Sequence, residues 1–409
     1  MAKEDYIVSL DIGTSKIRAI IGEPTGNSIN VIGVGSASGE GLRHGSIVDI
    51  DLTVESIREA VDHAERMVGI HISSAYVGIS GNHIQLQSSH GVVAVSSADR
   101  EISDEDIERV LQQARVVAIP PEREVIDVVA KEFVVDGLHG IMDPRGMLGV
   151  RLEVEAYLIT GSRTAIHNVV RCVERAGIEV ANLVLAPMAA SHIALSNDER
   201  KLGVALVDVG AGATSVTVFY NGVLMGTSVI PMGGDYVTHD IAIGLRTSTT
   251  SAEQVKLRHA CALVSQASEH EMFEVPRMGG NQETEYSQYD LATIVEPRMQ
   301  EIFALVRKEI EKMGYADDLP AGYVFHGGVM STPAVAELAS EELQAPVRIA
   351  IPEFLGVRDP SFVNVMGTIA YAVRTGLRAA PMEQAPVARQ AKSGGGMFSR
   401  LKDWLRDFV

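Results

Sequence analysis

The pattern of apolar and polar positions predicts two similar series of strands, one in each half of the chain. In the first series the apolar blocks predict strands at about 6–12, 17–23 and 29–38, a helix over 52–68 and a strand at 75–79. In the second series they predict strands near 202–209, 214–220 and 223–230, and a later strand at 323–326. Three strands surround a turn in each half, so the pattern indicates an α/β fold with an internal duplication.

Two segments break this rhythm. Residues 84–161 alternate like strands of an antiparallel sheet and contain one helix over 103–118, opened by Ser103 as its N-cap. We expect this segment to be an inserted α+β subdomain. A helix over 164–176, a strand over 178–184 and a crossing helix over 187–195 then resume the first unit, and a second insertion follows at about 235–317.

Composition excludes several classes of protein. With 409 residues, 46% of them hydrophobic, the chain is long enough for two or more compact units. The net charge of −18 argues against a nucleic-acid partner, which would require clustered Lys and Arg. Cys172 and Cys261 are too few for a disulfide framework. We also expect no secretory signal and no transmembrane helix, because no run of about 18 apolar residues occurs.

Two glycine-rich turns each begin with an aspartate at the end of an apolar strand. They read Asp11-Ile12-Gly13-Thr14-Ser15-Lys16 and Asp208-Val209-Gly210-Ala211-Gly212-Ala213-Thr214. Glycine lets backbone N–H groups approach an anion closely, and a Thr or Ser hydroxyl adds a donor. Asp11 and Asp208 would hold a hydrated Mg²⁺ from opposite sides. One such turn alone is most often only a hairpin, but the pair predicts a two-lobed phosphate clamp.

A glycine pair forms a third element of the same kind. Gly327 and Gly328 follow the apolar strand Tyr323-Val324-Phe325-His326 and precede a helix that begins near Pro333. Backbone without a side chain can approach a flat base or a ribose at this position.

These three elements, in this order and at these separations, resemble the actin, heat-shock chaperone and sugar-kinase ATPase superfamily. Four further strings make the chain similar to one family within it, the FtsA proteins of bacterial division: Gly78-Ile79-Ser80-Gly81-Asn82-His83-Ile84, Asp198-Glu199-Arg200-Lys201-Leu202-Gly203-Val204, Arg258-His259-Ala260-Cys261-Ala262 and Val295-Glu296-Pro297-Arg298. The resemblance covers nearly the whole chain. It implies an actin-like two-lobed ATPase fold with a duplicated core and an inserted α+β subdomain of the 1C type in the first lobe.

The resemblance also implies a division into subdomains. The first-lobe core would comprise 1–83 and 162–198, with the insertion at 84–161 between them. The second-lobe core would comprise 199–234 and 318–360, with its own insertion at 235–317. A closing helix would occupy 361–378, a flexible linker 379–396 and an amphipathic helix 397–409.

The cofactors that the resemblance implies are ATP and Mg²⁺. Phosphates would be cradled by Gly13, Thr14, Ser15, Gly210, Gly212 and Thr214, while Gly233 and Gly234 let a helix start close to the nucleotide. Lys16 is either a further phosphate contact or a solvated side chain. Glu253 and Lys256, three residues apart on one helix face, resemble contacts to ribose and adenine, although such a pair is otherwise an ordinary surface ion pair.

Some positions depart from the family pattern. Ala211, Ala213 and Ser215 replace a glycine, a threonine and an aspartate in the second turn, and His326 replaces a threonine before the glycine pair. We therefore expect ATP binding without efficient hydrolysis. His326 is a spacer, a base-facing group or a core histidine. His192 is either a water-positioning residue or a structural one, and no general base is assigned.

The end of the chain predicts a tethered membrane helix. Residues 379–396 are rich in Ala, Pro, Gln and Gly, which is typical of a flexible linker. The last thirteen residues place Phe398, Leu401, Trp404, Leu405 and Phe408 at helical spacing, flanked by Arg400, Lys402 and Arg406. Such a helix lies on an anionic membrane surface; the alternative is a terminal helix docked on the body of the protein.

The function that the resemblance implies is that of a membrane adaptor in cell division. The protein would polymerise on the inner face of the cytoplasmic membrane, at the division site, tether FtsZ filaments there and recruit later division proteins. Arg298 matches a family contact to the FtsZ C-terminal peptide, or is a solvent-facing residue at a helix N-terminus, and the preceding Gln282-Glu283-Thr284-Glu285 lacks the family's basic segment. The alternatives are a PilM-like ATP-binding scaffold and a small-molecule kinase, neither of which has a use for the tail.

Overall fold

The first lobe begins with an antiparallel set of strands covered by a helix. The computed structural model describes residues 5–26, 28–279, 283–316, 318–375 and 380–381. The first elements are β1 (Asp5–Ile12), β2 (Lys16–Thr25), β3 (Ser28–Ser38), β4 (Leu42–Arg43), β5 (Ser46–Ile47), α1 (Ile50–Val68) and β6 (Ser74–Ile79). Helix α1 begins where Asp49 accepts a hydrogen bond from the Leu52 N–H and ends at Gly69, in left-handed conformation. Its buried residues pack on the sheet, as the helical spacing predicts.

The next segment forms a separate antiparallel sheet with one helix. Its elements are β7 (Gln85–Ala94), α2 (Asp104–Arg115), β8 (Arg123–Val135), β9 (Leu138–Ile141) and β10 (Arg151–Ser162). The strand order is β7-β10-β8-β9, and Val110 and Ala114 of α2 pack with Leu152 and Val154 of β10 in its core. Helix α2 is shorter than the predicted 103–118, and β9 was not predicted.

The chain then returns to the first sheet. The returning elements are α3 (Arg163–Arg175), β11 (Glu179–Leu185), α4 (Ala186–Ala194) and α5 (Asn197–Leu202). Strand β11 pairs in parallel with β6, which gives the order β11-β6-β1-β2-β3. Helix α4 is the predicted crossing helix, with Pro187 in its first turn, where the missing N–H costs nothing.

The second lobe repeats this plan. Its elements are β12 (Val204–Val209), β13 (Thr214–Tyr220), β14 (Val223–Ile230), α6 (Gly234–Gly244), α7 (Thr249–His259), β15 (Met272–Pro276), β16 (Glu283–Ser287), α8 (Gln288–Lys312), β17 (Tyr323–His326), α9 (Val335–Leu343) and β18 (Val347–Ile349). The strand order β18-β17-β12-β13-β14 is the order of the first sheet. Asp11 pairs in register with Arg18 and Gly78, and Asp208 pairs equivalently with Ser215 and His326. The predicted duplication is confirmed.

A last helix returns to the first lobe. Helix α10 (Val363–Arg374) packs on α4, and an added Cβ at Gly367 would lie 2.6 Å from the Ala189 carbonyl carbon, so only glycine permits this approach. Strand β19 (Ala380–Pro381) pairs with β1. Two residues of the predicted linker are therefore strand-paired.

The remaining predictions for the C-terminal region fall on residues that the structure does not describe. These are the end of the closing helix at 378, the rest of the linker and the amphipathic helix with all of its named residues. None of the described helices combines the length and the apolar character needed to span a bilayer. The subdomain boundaries stay predictions, because sheets and helices alone do not divide a chain into independently folding units.

Asp106 organises the insertion. It is fully buried and accepts hydrogen bonds from the Ser96 N–H (3.0 Å) and from the Ser103 hydroxyl (2.9 Å), and it pairs with Arg109. Burial alone would raise the pKa of Asp106, but the hydrogen bonds from Ser103, Ser96 and Arg109 together bring it well below its ordinary value. The carboxylate thus fixes the start of α2 against the strand before it.

We predict that Asp106→Asn destabilises the protein by about 3 kcal/mol at pH 7, because a buried network loses its ionised centre. Because the pKa of Asp106 is lower in the folded than in the unfolded protein, its ionisation stabilises the fold at any pH above the unfolded pKa of about 4. This stabilisation is lost progressively as the pH falls from there toward the folded-state pKa, so the stabilities of variant and parent should converge in acid. Urea unfolding and hydrogen exchange of α2 measure the effect. Asp104→Asn, in the same turn but exposed, is the control; equal losses for the two variants would contradict the prediction.

Candidate functional site

A cavity of about 1000 Å³ lies between the two sheets, which is ample for a nucleotide. It brings together residues from both glycine turns, from the glycine pair and from helix α7. Of the predicted site residues, those that line it are Asp11, Gly13, Thr14, Ser15, Lys16, Asp208, Gly210, Gly212, Gly234, Glu253, Lys256, Gly327 and Gly328. Thr214, Gly233 and Arg298 do not line it.

The two glycine turns have the same backbone geometry. The Gly13 N–H donates to the Lys16 carbonyl at 3.1 Å, and the Gly210 N–H donates to the Ala213 carbonyl at 3.0 Å. An added Cβ at Gly13 would lie 2.9 Å from the Lys16 oxygen, so the first turn closes this tightly only with glycine. Each lobe therefore presents a tight turn directly after its aspartate.

The turns also touch each other through the β4–β5 hairpin. The Gly45 N–H donates to Thr14 Oγ1 at 3.0 Å, and His44 Nδ1 lies 3.1 Å from the Gly212 carbonyl oxygen. An added Cβ at Gly212 would lie 2.7 Å from Thr14 Oγ1. Sequence reasoning missed His44, since a two-residue strand on either side gives no periodic signal. The hairpin holds the two lobes together at the mouth of the cleft.

Asp11 and Asp208 face each other from the two lobes. Burial raises the pKa of Asp11 to about 6; Arg18 opposes this shift, and the charge of Asp208 adds to it. Two carboxylates thus share one site, and one of them is costly to ionise because it is buried. A cation bound between them would stabilise the ionised forms of both.

The donor set fits a hydrated magnesium ion. Within the described ranges no group of three or more His, Cys, Asp or Glu residues could hold a metal ion. Mg²⁺ is bound characteristically through one or two carboxylates together with waters and nucleotide phosphates. Asp11 and Asp208 are the residues that would hold it, and the ion would neutralise phosphate charge when bound.

The predicted phosphate contact of the Thr214 hydroxyl needs correction, whereas Gly233 lies at the start of a helix, as predicted. Thr214 is fully buried and its hydroxyl donates to the Met232 carbonyl at 2.8 Å, so this hydroxyl faces the protein and not a phosphate. At Gly233 an added Cβ would collide with the Gly210 oxygen and lie 2.6 Å from the Ala211 oxygen. The close approach that Gly233 permits is therefore to the second turn, because α6 begins directly against that turn's backbone.

Glu253 and Lys256 form an ion pair with 2.7 Å between Oε2 and Nζ, and both line the cleft. Lys256 Nζ also donates to the Gly234 carbonyl at 3.1 Å and to the Thr238 hydroxyl at 2.7 Å. The pair is thus not an ordinary surface ion pair. It fixes α7 to the start of α6, at the edge of the cavity.

The two singled-out histidines are structural in this geometry. His326 is 1% exposed, and burial lowers its pKa against the opposing effect of Asp208, which lies 3.6 Å away. This burial agrees with the alternative that His326 is a core histidine.

His192 lies outside the cleft lining and accepts a hydrogen bond from Arg374 at 3.1 Å. Burial and the charge of Arg374 lower its pKa to about 4. Its position does not support a water-positioning role.

Arg298 lies in the middle of α8, because Pro297 is accommodated inside that helix. The alternative of a solvent-facing residue at a helix N-terminus is therefore wrong. The Arg298 guanidinium binds Asp240 through two hydrogen bonds, of 2.6 Å and 3.2 Å, pairs with Glu301 and lies over the Tyr236 ring. Its side chain remains 22% exposed.

We predict that Gly327→Ala costs at least about 2 kcal/mol of stability. Gly327 has a φ of 98°, and an added Cβ would collide with Asp208 Oδ1 and lie 2.5 Å from the Val209 oxygen. Gly328→Ala is the matched control: its methyl would meet only Ser361 Cβ at 3.8 Å, so we expect a change within about 0.5 kcal/mol. Urea unfolding without nucleotide measures both, and equal stability of the two variants would refute the assignment.

Solved structures with this fold confirm the architecture. The chain resembles the PilM protein of a PilM–PilN type IV pilus biogenesis complex, with a TM-score of 0.62 at 17% identity over 90% of this chain and 98% of that one. It also resembles MreB5 of Spiroplasma citri, solved with ADP, with a TM-score of 0.54 at 14% identity over 91% and 97%. Likeness at this level of identity shows the fold alone, which is the actin-like α/β fold.

Sequence comparison identifies the family. Residues 205–367 match the family model described as cell division protein FtsA, and residues 81–160 match the model of the SHS2 domain inserted in FtsA. The cell division protein FtsA of Bacillus subtilis is 52% identical over 91% of this chain and 85% of its own length. That of Pseudomonas aeruginosa is 40% identical over 98% and 97%. The chain belongs to the FtsA family of cell division proteins, with the actin-like fold and the inserted subdomain of that family.

Proposed function

We propose that the protein binds ATP with Mg²⁺ in the cleft, assembles on the inner face of the membrane at the division site and tethers FtsZ filaments there. The observation that carries this proposal is the meeting of the two aspartate–glycine turns across one cavity, in a chain of the FtsA family. The cleft has the glycine-lined backbone and facing carboxylates that a magnesium nucleotide requires. Polymers of the protein would also recruit later division proteins.

Attachment to the membrane rests on residues 397–409 of the sequence. Trp404 and four other large apolar residues recur at helical spacing in the sequence, with three basic residues among them, so a helix here would have one apolar face and a basic flank. A helix of this length that also carries Asp403 and Asp407 binds weakly by itself. Assembly of many copies multiplies weak contacts, so a nucleotide-dependent polymer would convert them into durable attachment.

The proposal predicts that the intact chain co-sediments with anionic vesicles of phosphatidylglycerol in Mg-ATP, whereas a chain ending at Gly396 stays in the supernatant. Trp404→Glu should behave like the shortened chain, because it places a charge on the apolar face. Asp403→Asn is the matched control and should pellet at least as well as the parent. Asp208→Ala should pellet less, since it removes a carboxylate of the cation site and with it the avidity of assembly.

Two outcomes would contradict the membrane role. One is equal sedimentation of the intact and shortened chains, and the other is failure of both to sediment. Neutral phosphatidylcholine vesicles provide the control for charge, because the basic flank should lose its contribution there.

Arg298 is the residue proposed to contact the FtsZ C-terminal peptide. Asp240 and Glu301 already occupy its guanidinium, so an incoming acidic peptide competes with these two carboxylates. The β16 strand adds Glu283 and Glu285, where the family pattern has basic residues. Peptide affinity therefore depends on how readily the Asp240 pair opens.

We predict opposite effects of two variants on binding of a synthetic FtsZ C-terminal peptide, measured by isothermal titration calorimetry. Arg298→Ala should weaken binding by about fivefold or more, because the peptide loses a cation. Asp240→Asn should strengthen binding, because it removes the competing charge while keeping the side-chain shape. If Arg298 only holds α8 to α6, both variants will lower stability and neither will change affinity, which would sink the proposed contact.

A further inference from the structure

One short segment, residues 361–364 around the start of α10, bonds directly to Asp208 and to Arg18, whose charge acts on Asp11. From this segment Asn364 Nδ2 donates to Asp208 Oδ2 at 2.8 Å. On the other side Arg18, the cation that opposes the raised pKa of Asp11, donates to the Ser361 hydroxyl at 2.9 Å. The Arg18 guanidinium also lies 5.0 Å from the centre of the Phe362 ring. A single piece of chain thus contacts the aspartate of the second lobe and the cation that acts on the aspartate of the first lobe.

The contact between Asn364 and Asp208 is chemically one-directional. An ionised carboxylate only accepts hydrogen bonds, so the amide nitrogen must face it. Among the described residues, Asn364 is the one side chain that donates a hydrogen bond to Asp208. The amide is neutral, so it orients the carboxylate without supplying a charge that would compete with a bound cation.

The other oxygen of Asp208 is confined by packing. Oδ1 lies 3.6 Å from Nδ1 of the buried His326 and faces the bare Cα of Gly327. The hydrogen bond to Oδ2 and this packing at Oδ1 therefore fix the plane of the carboxylate. A cation that requires near-ideal octahedral geometry gains from a carboxylate already set in place.

Helix α10 is itself firmly anchored. The Ser9 hydroxyl donates to the Val365 carbonyl at 2.8 Å, and the Tyr371 hydroxyl donates to Asp127 of the insertion at 3.1 Å. The close packing of Gly367 on α4 fixes the distance between the two helices. Asn364 therefore presents its amide from a rigid element.

We infer that Asn364 is a positioning residue of the cation site, which orients Asp208 to receive a hydrated divalent cation bound to nucleotide phosphates. This inference rests on the proposed nucleotide function. Asn364 should therefore raise nucleotide affinity only when Mg²⁺ is present. The contacts that the glycine turns make with the phosphates should not depend on Asn364.

The test compares binding of a fluorescent ATP analogue to the full chain in Mg²⁺ and in EDTA. Asn364→Leu, which keeps the branched outline of the side chain but removes the donor, should weaken binding about tenfold in Mg²⁺ and less than twofold in EDTA. Asn364→Ala should show the same selectivity without added bulk and serves if the leucine variant does not fold. Thr375→Val, at the far end of α10, where the hydroxyl donates to the Tyr371 carbonyl, is the control, with both affinities within about twofold of the parent.

A loss of equal size in Mg²⁺ and in EDTA would mean that Asn364 is merely structural, and would overturn the inference. So would an unchanged ratio of the two affinities in both variants while the parent shows its normal dependence on Mg²⁺. A parent chain that binds no nucleotide in Mg²⁺ would instead remove the proposed function itself. The two failures are therefore distinguishable.

Discussion

The constraint on which the rest of the structure depends is the facing pair of carboxylates between the lobes. Asp11 and Asp208 are brought together in a partly enclosed cleft, where burial raises the pKa of Asp11, Arg18 opposes the shift and the charge of Asp208 adds to it. Arg18, Asn364 and the tight glycine turns are arranged around this pair. The fold thus holds two neighbouring carboxylates, one of them with a raised pKa, as is common at binding sites.

The duplicated fold explains why an aspartate occurs at the same place in each lobe, and sequence differences between the two halves explain why the surroundings of the two aspartates differ. The two sheets have the same strand order, so each aspartate ends an equivalent central strand. The residue beside Asp11 on the neighbouring parallel strand is Gly78, whereas the residue beside Asp208 is the buried His326. The two aspartates therefore have different neighbours: Asp208 lies beside an imidazole, whereas Asp11 lies beside a residue without a side chain.

The insertions connect to the cleft by few but specific contacts. Tyr371 of α10 donates to Asp127 of the first insertion, and Asn364 of the same helix donates to Asp208. In the second lobe Tyr236 lies between His44 at the mouth of the cleft and Arg298 of α8. Contacts between named side chains therefore reach from the cleft to both insertions.

The sequence by itself determined most of the longer strands and both aspartate–glycine turns, because these depend on local periodicity and on backbone freedom, and it predicts the amphipathic stripe of the tail. It also indicated the duplicated α/β fold. Only the tertiary structure decided that His44 closes the cleft, that Thr214 faces the core, that Arg298 is already paired and that Asn364 holds Asp208. These contacts join residues far apart in the chain, and their geometry follows from how helices pack on the two sheets, as Gly367 packs on Ala189. Local pattern specifies each element; packing specifies which side chains meet.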